Sequence, residues 1–414
     1  LIRAELDRAI ELTLRSDVPV GIALSGGLDS GGIAALAAPK YKDVLQAFSV
    51  GYSGSPDCDE RQQAKELANH LGLPFHEVEL RSDELVDFFP QLVRLIDDPI
   101  ADIAAYGHFA VTQLAAQHGI KVMLSGIGGD ELFWGYEWVA QAVHYAEHKH
   151  QYSGKHQHSG RSHSSATLCK IMEWLAGSSS YLKLAESRKL PSALRTILQR
   201  GIEFSYLSPA YPNQTVFYNV GRDFRRTWHS RSTLYPEEFL EQLPERSAFE
   251  PFVVQPESWA DIPNQVRQLL FETWLVSNCL SLGDRVSMAS SVEVRLSLLD
   301  YRLIEVVVGL SKTQPDHNLE RKYWLKDVLK EHLPAGILNR PKRGFEPPYS
   351  DWIASLVERY KELGLDGYLI KLGVLNRQYL QKLFQNCRSN YSLTYRVLYL
   401  EIWYRSIVEE PVFS

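Results

Sequence analysis

The chain has 414 residues and a formal net charge of −6 at pH 7, with 45% hydrophobic and 23% charged residues. These proportions are typical of a globular protein with a large core, and the length favours one large domain or two. The acidic balance argues against a nucleic-acid-binding protein, and no apolar run approaches the roughly 20 residues of a membrane-spanning helix.

The cysteines are spread along the chain as Cys58, Cys169, Cys279 and Cys387. None forms a C-x-x-C pair, so their spacing indicates neither a zinc knuckle nor a redox pair. Scattered cysteines in a large chain are typical of a reducing compartment, and we expect a cytoplasmic protein. The chain begins at Leu1 without a signal-peptide pattern, so we expect a fragment or a processed piece.

The first 124 residues alternate between helical and strand patterns. Helical spacing of apolar residues covers 1–15, 59–71, 82–96 and 103–118, and short apolar runs at 20–24, 44–50, 75–80 and 121–124 predict strands. This alternation predicts an α/β fold, a parallel sheet with helices on both faces. A ligand of such a sheet lies beyond the carboxyl ends of the strands, where the strand order reverses.

A glycine-rich loop, Ser25-Gly26-Gly27-Leu28-Asp29-Ser30, follows the first predicted strand and precedes a run of small residues with helical potential. A loop in this position presents backbone N–H groups to an anion, and we expect a phosphate chain. The loop carries Asp29 instead of the lysine of the G-x-x-x-x-G-K-[ST] pattern. Because a carboxylate repels phosphates unless a divalent cation lies between them, Asp29 predicts Mg²⁺. The alternative is an ordinary polar turn.

A second glycine-rich loop, residues 125–131, follows the fourth predicted strand. If the first and fourth strands are neighbours, Asp29 and Asp130 face one volume and share one Mg²⁺. The alternative, a flexible surface turn, is less favoured because two such loops each follow a strand.

From Trp138 the composition changes. Six histidines lie in a segment rich in Ser, Gly, Lys and Gln: His144, His148, His150, His156, His158 and His163. We predict a solvated, flexible loop over 141–165 rather than a metal site, since no fixed ligand spacing appears. Residues 1–140 are then the nucleotide-binding core, and residues 166–414 a mainly helical part that completes the site.

Two later stretches carry charges in unusual settings. Glu293 and Arg295 flank Val294 in a locally apolar run, and buried charges need partners, so we predict the salt-bridged wall of a polar cleft. Residues 321–326 begin a helix, and 339–345 form a basic loop with Pro and Gly. Taken alone this loop is a solvated turn; in an ATP enzyme it closes on leaving pyrophosphate, where charge develops in the transition state.

Residues 16–30 resemble the ATP-pyrophosphatase loop, or PP-loop, of the synthetase domain of glutamine-hydrolysing asparagine synthetases. The resemblance continues through 48–52, 125–136, 284–295 and 340–345, over almost the whole chain. It implies an adenine nucleotide alpha-hydrolase-like fold and a ligase that uses ATP and Mg²⁺. Such a ligase activates a substrate carboxylate as an acyl-adenylate, releases pyrophosphate and transfers the acyl group to ammonia, as in asparagine biosynthesis.

The resemblance also implies roles for individual residues. Those that hold the pyrophosphate of ATP are Ser25, Gly26, Gly27, Leu28, Asp29 and Ser30, and those that line the nucleotide are Leu24, Val50, Ser125 and Gly126. Asp29 and Asp130 bind magnesium. Lys342, together with Lys322, neutralises the departing pyrophosphate, and Glu293 and Arg295 are further candidate catalytic residues.

Two departures from the family pattern leave alternatives open. In asparagine-forming members a glutamate follows the Ser-Gly of the second loop; Ile127 stands there and can neither handle aspartate nor transfer a proton. The amino-terminal glutaminase is not seen in this sequence, so we expect ammonia from a glutaminase domain or subunit outside this chain, or from solution. The alternatives are an adenylating cyclase that forms a lactam or macrolactam with an intramolecular amine, and a non-catalytic nucleotide-binding scaffold.

Overall fold

The computed structural model describes residues 1–41, 45–157, 190–191, 193–194, 198, 214–217, 231–244, 250–254, 261–340 and 347–409, with the backbone alone for 151–157 and 409. The chain divides into two compact units. One consists of Leu1–Gly135 with Leu275–Ser414, and the other of Tyr136–Trp274.

The first unit is built on a five-stranded sheet. Its strands are β1 (Val20–Ala23), β2 (Leu45–Tyr52), β3 (Phe75–Leu80), β4 (Val122–Leu124) and β5 (Glu293–Arg295), and their spatial order is β3-β2-β1-β4-β5. All neighbouring strands are parallel. The predicted parallel α/β sheet is therefore confirmed, and β1 and β4 are neighbours as the shared-site hypothesis requires. The sequence patterns did not predict β5.

Helices cover the sheet and connect its strands. Before Gly135 they are α1 (Ile2–Thr13), α2 (Leu28–Tyr41), α3 (Arg61–Leu71), α4 (Ser82–Ile96), α5 (Ala105–Gln117) and α6 (Gly129–Leu132). The apolar face predicted for the first helix is buried, and α3 ends at Gly72, whose φ of 69° is a left-handed cap. Both α3 and α5 pack against β2 and β3. Ile22, Phe48 and Leu124, one from each central strand, have no exposed surface and mark the centre of the core.

The second unit contains α7 (Glu137–Gln157), α8 (Arg231–Leu234), α9 (Glu237–Leu240) and α10 (Ile262–Leu269) among its described residues. Within this unit α7 packs against α10, and Trp138 stacks on Phe217. The predicted loop over 141–165 is wrong for 141–157, which are helical. Val139, Ala142, Val143 and Ala146 recur at helical spacing and are buried, so one face of the histidine-rich segment belongs to the core. Residues 158–165 lie outside the described residues.

The chain then returns to the first unit through π-helical turns at Leu270–Leu280. The helices that follow are α11 (Ser281–Met288), α12 (Tyr301–Thr313), α13 (Tyr323–Leu329), α14 (Ala335–Leu338), α15 (Tyr349–Leu365), α16 (Tyr368–Lys371), α17 (Arg377–Gln385) and α18 (Tyr391–Trp403), with further π-helical turns at Tyr404–Glu409. This division differs from the predicted one, because the chain after Trp274 supplies β5 to the sheet of the first 135 residues.

The closing helices pack on the end of α4. Helices α15 and α18 contact each other and α4, and Tyr399 and Trp403 donate hydrogen bonds to the backbone carbonyls of Asp98 and Asp97 at 3.1 and 2.7 Å. The carboxyl-terminal part of the chain is therefore helix-rich, as predicted. Of the helices in the described residues, none combines the length and the apolar character needed to cross a membrane.

Candidate active site

The first glycine-rich loop connects β1 to α2 and is held by its own serines. The Ser25 backbone N–H donates to Ser30 Oγ at 3.1 Å, and the Gly27 N–H donates to Ser25 Oγ at 3.1 Å. Asp29 lies in the first turn of α2. The loop thus places the amino terminus of a 14-residue helix at the carboxyl end of the sheet, where its N–H groups favour an anion. Leu24 and Val50, predicted to line a nucleotide, are buried at the ends of β1 and β2.

The second loop lies directly against the first. A methyl group on Gly126 would stand 2.7 Å from the backbone nitrogen of Ser30 and 3.0 Å from Cβ of Asp29, and one on Gly129 would overlap the Asp29 carboxylate. Only glycine allows two backbones to approach this closely. Since β4 pairs with β1, the two loops follow neighbouring strands and lie in direct contact.

The carboxylates of the two loops meet at one lysine. Lys322 Nζ lies 2.5 Å from Asp29 Oδ2 and 2.5 Å from Asp130 Oδ1. The lysine side chain is 6% exposed. Burial acts to lower the pKa of Lys322, whereas the charges of Asp29 and Asp130 raise it, and the net direction is upward. The site therefore contains a buried ammonium ion that stays charged and bridges two carboxylates.

Several backbone features bring Lys322 to this position. Its φ of 57° is in the left-handed region, which a residue with a side chain rarely adopts, and its N–H donates to the Phe133 carbonyl at 3.0 Å. A methyl group on Gly135 would overlap both the Asp130 carboxylate and the Lys322 side chain. The sequence patterns assigned Lys322 to pyrophosphate and did not identify its contact with the aspartates, because 293 residues separate it from Asp29.

The basic segment after α14 also reaches the first loop. Arg340 Nη1 donates to the Gly26 carbonyl oxygen at 2.6 Å, and a methyl group on Gly26 would stand 2.6 Å from the same nitrogen. Sequence reasoning included Arg340 in a basic loop but assigned it no contact. Lys342, two residues further on, lies outside the described residues.

Glu293 and Arg295 are not brought to the aspartates by any contact within the described ranges. Arg295 Nη1 donates to the carbonyls of Thr13 and Arg15 at 2.9 and 2.7 Å, and its Nε donates to Glu293 Oε1 at 2.8 Å. The Glu293 side chain is 60% exposed, and its hydrogen bond with Arg295 lowers its pKa. These contacts attach the end of α1 to β5 and leave the Glu293 carboxylate mostly exposed, and the catalytic role of Glu293 and Arg295 stays a prediction.

Ile127 lies at a small cavity of about 30 Å³ behind the second loop. The cavity is lined by Ala23, Met123 and Val294 from three strands, by His108, Val111 and Thr112 of α5, by Gly283 and Val286 of α11, and by Ser125 and Ile127. Burial lowers the pKa of His108, with a smaller opposing effect from Asp102, so the imidazole is neutral near pH 7. The lining contains no cation to hold a carboxylate.

The donor set fits a magnesium ion. Carboxylate oxygens are the ligands that Mg²⁺ takes, and a nucleotide-bound Mg²⁺ commonly uses one or two protein carboxylates together with phosphates and water. Asp29 and Asp130 supply two such groups from different loops, both oriented to one point. In the part of the chain that the structure describes, no group of three or more His, Cys, Asp or Glu side chains forms a metal site.

Comparison with known proteins identifies relatives of this chain. Asparagine synthetase [glutamine-hydrolyzing] 1 of Bacillus subtilis is 26% identical over 416 residues, covering 99% of this chain and 59% of that protein. Amidase chyE of Penicillium rubens is 25% identical over 378 residues, covering 85% of this chain and 52% of that protein. The chain thus spans between about half and three fifths of these relatives.

A solved structure, the NH3-dependent NAD synthetase of Campylobacter jejuni, matches 51% of this chain and 94% of that chain at 17% identity. Its TM-score with this chain is 0.24. The family model described as asparagine synthase matches residues 1–405, which include both glycine-rich loops, β5 and Lys322. The chain belongs to the asparagine synthase family.

Proposed function

We propose that this chain is the synthetase part of an ATP-dependent, amide-forming ligase. The observation that carries the proposal is the meeting of Asp29 and Asp130 at one cation, beside the loop that begins α2. A helix amino terminus, acidic metal ligands and a basic side chain together suit an enzyme that handles the phosphates of ATP. Membership of the asparagine synthase family supports carboxylate activation as the reaction.

The reaction balances in two steps. A carboxylate oxygen of the substrate attacks the α-phosphorus of ATP, the bond from that phosphorus to the bridging oxygen breaks, and pyrophosphate leaves. Ammonia then attacks the acyl carbon, AMP departs with the bond electrons, and one proton goes to solvent. The loop at residues 25–30 binds the pyrophosphate, and Lys322 offsets the negative charge that develops on it. The resemblance to the family motif assigns Lys342 the same role, as a second positive charge near the pyrophosphate.

Asp29 and Asp130 would hold Mg²⁺, which supplies charge neutralisation of the phosphates when bound. Around it the chain's own residues orient ATP. Gly26 is fixed by Arg340, and Ser25 and Ser30 fix the turn of the loop. The nucleotide then lies beyond the carboxyl ends of β1 and β4, near Leu24, Val50, Ser125 and Gly126.

Ile127 supports a carboxylate substrate other than aspartate, because isoleucine can neither pair with a charged substrate group nor transfer a proton as the glutamate of asparagine-forming members does. An amidase is also among the relatives of this chain, which is consistent with amide chemistry on more than one substrate. We propose that a glutaminase domain or subunit supplies the ammonia.

ATP–pyrophosphate exchange across a panel of carboxylates at saturating Mg²⁺ tests the proposal. We expect exchange with one chemical class of acid and its loss in Asp29→Asn, because the metal loses a charged ligand. Asp7→Asn, a surface carboxylate paired with Arg3, is the matched control and keeps full exchange. Exchange that persists in Asp29→Asn refutes the metal assignment, and no exchange with any acid refutes the ligase. Product mass then identifies the acceptor, since amidation replaces oxygen by nitrogen whereas cyclisation loses water.

A further inference from the structure

We propose that Lys322 is a built-in counter-ion of the metal site: its ammonium occupies the position between Asp29 and Asp130 until a divalent cation displaces it toward the bound phosphates. The inference rests on the proposed function, because it concerns the same metal site. It goes beyond that function by assigning the lysine a second position and by coupling the binding of metal to the binding of ATP.

The first support is that metal and lysine need the same oxygens. Lys322 Nζ is 2.5 Å from one oxygen of each carboxylate, so the two oxygens lie within twice that distance of each other. A Mg²⁺ ion held by Asp29 and Asp130 would need carboxylate oxygens that Lys322 contacts, because Mg²⁺ takes oxygen ligands. The two cations therefore exclude each other.

The second support is that the surrounding backbone is shaped around the lysine. Lys322 has a left-handed φ of 57° and is anchored by its N–H to the Phe133 carbonyl, and Gly135 leaves room for its side chain beside Asp130. A residue with a side chain adopts this conformation only where surrounding contacts hold it. The ammonium between the aspartates is thus a formed part of the fold and not a side chain that rests there by chance.

The third support is electrostatic. Two carboxylates brought together in a largely buried volume repel each other unless a cation lies between them. Lys322 supplies that cation in the absence of metal. When a divalent ion takes its place, the displaced ammonium needs other anions, and those within its reach are the phosphates held by the loop at 25–30.

Metal and ATP binding are coupled as a consequence. Metal alone must expel a buried ammonium that has no new partner, so it binds weakly; with ATP present the phosphates accept the ammonium, and metal binds more tightly. By linkage, metal strengthens ATP binding by the same factor. This order of events prevents the site from filling with metal before the nucleotide arrives.

Isothermal titration of the nucleotide-free protein with Mn²⁺ tests the inference, using the full chain. We expect Lys322→Met to bind Mn²⁺ at least tenfold more tightly than the wild type. A factor of about ten is the expected effect of removing one charged group that competes with the metal for the carboxylates. We also expect its melting temperature to fall without metal and to recover when Mn²⁺ is added. Lys326→Met, one turn further along α13 and paired with Glu320, is the matched control and binds Mn²⁺ like the wild type.

Lys322→Gln is a second neutral variant whose amide can donate hydrogen bonds to the aspartates. It provides the same test if the methionine variant does not fold. Equal or weaker Mn²⁺ binding in both variants overturns the inference. Failure of the proposed function gives a different result. If the Asp29→Asn variant binds Mn²⁺ as tightly as the wild type does when ATP is present, the metal site itself is wrong. If Asp29→Asn abolishes binding while the lysine variants do not tighten it, the metal site stands and only the counter-ion role is lost.

Discussion

At the scale of single residues, one glycine in each of the two loops, Gly26 and Gly126, is explained by what lies against it. Gly26 has Arg340 Nη1 and Cβ of Gln63 within 2.6 and 2.8 Å of the point where a side chain would begin, and Gly126 has the backbone of the first loop at 2.7 Å. A positive φ is recorded at neither position. These glycines are therefore required by close approach of chain segments and not by turn conformation.

The prediction at this scale concerns Gly126→Ala. Its new methyl group would press on the nitrogen of Ser30, a backbone atom that cannot move away without shifting the first loop. We expect ATP binding to weaken at least tenfold by calorimetry and the melting temperature to fall.

Gly309→Ala in α12 is its control, since nothing lies within 4 Å of the added methyl group. We expect this change to raise the free energy of unfolding by up to about 1 kcal/mol, because alanine favours a helix. If both variants bind ATP like the wild type, the two loops do not depend on their close contact.

At the scale of elements, the three-residue strand β5 connects the sheet to α1. It extends the sheet beyond β4, and Arg295 fixes the last carbonyls of α1. Ser297, just after the strand, adds a hydrogen bond to Thr13 at 2.8 Å between their hydroxyl groups. A strand this short is stable because β4 pairs with it and α1 is attached to its end.

We predict that Arg295→Met changes stability and not catalysis. The carbonyls of Thr13 and Arg15 lose a charged donor, so the free energy of unfolding should fall by about 1–3 kcal/mol in denaturant titration. The KM for ATP should be unchanged.

Glu293→Gln should alter stability by less than about 1 kcal/mol, because its carboxylate is mostly exposed. A stable Arg295→Met protein with a low kcat would contradict this view and would support the catalytic role that the sequence suggested.

At the scale of the whole molecule, the first unit is assembled from two distant parts of the chain. Leu1–Gly135 supplies four strands and both glycine-rich loops, whereas Leu275–Ser414 supplies β5, Lys322 and the helices that pack on α4. A domain boundary drawn near residue 140 would therefore divide the sheet and the site.

Expression of residues 1–140 alone tests this organisation. We expect no cooperative unfolding transition by circular dichroism, because Asp29 and Asp130 lose Lys322 and the end of α4 loses the helices that cover it. Co-expression with residues 141–414 should restore the transition. A fragment of 1–140 that unfolds cooperatively on its own would show that the first four strands form an independent domain.

The sequence by itself determined the parallel sheet, the two loops and the family, because each depends on short-range patterns: strand length, glycine spacing and motifs of a few residues. It also predicted that Asp29 and Asp130 face one volume if the first and fourth strands are neighbours, and the pairing of β1 with β4 meets that condition. The histidine-rich segment shows where composition fails as a predictor of structure. Its polarity favoured a loop, but Val139 and Val143 are buried on one face of a helix.

Only the tertiary structure decided the rest. The pairing of β5 with β4, the anchor from Arg295 to α1, and the meeting of Lys322 with Asp29 each join segments far apart in the chain. No local pattern encodes these contacts, because the sequence around a charged residue does not show whether that residue is solvated or buried against a partner. Which partner it finds depends on the packing of the whole unit, and in this protein that packing places one lysine between the two aspartates proposed to bind metal.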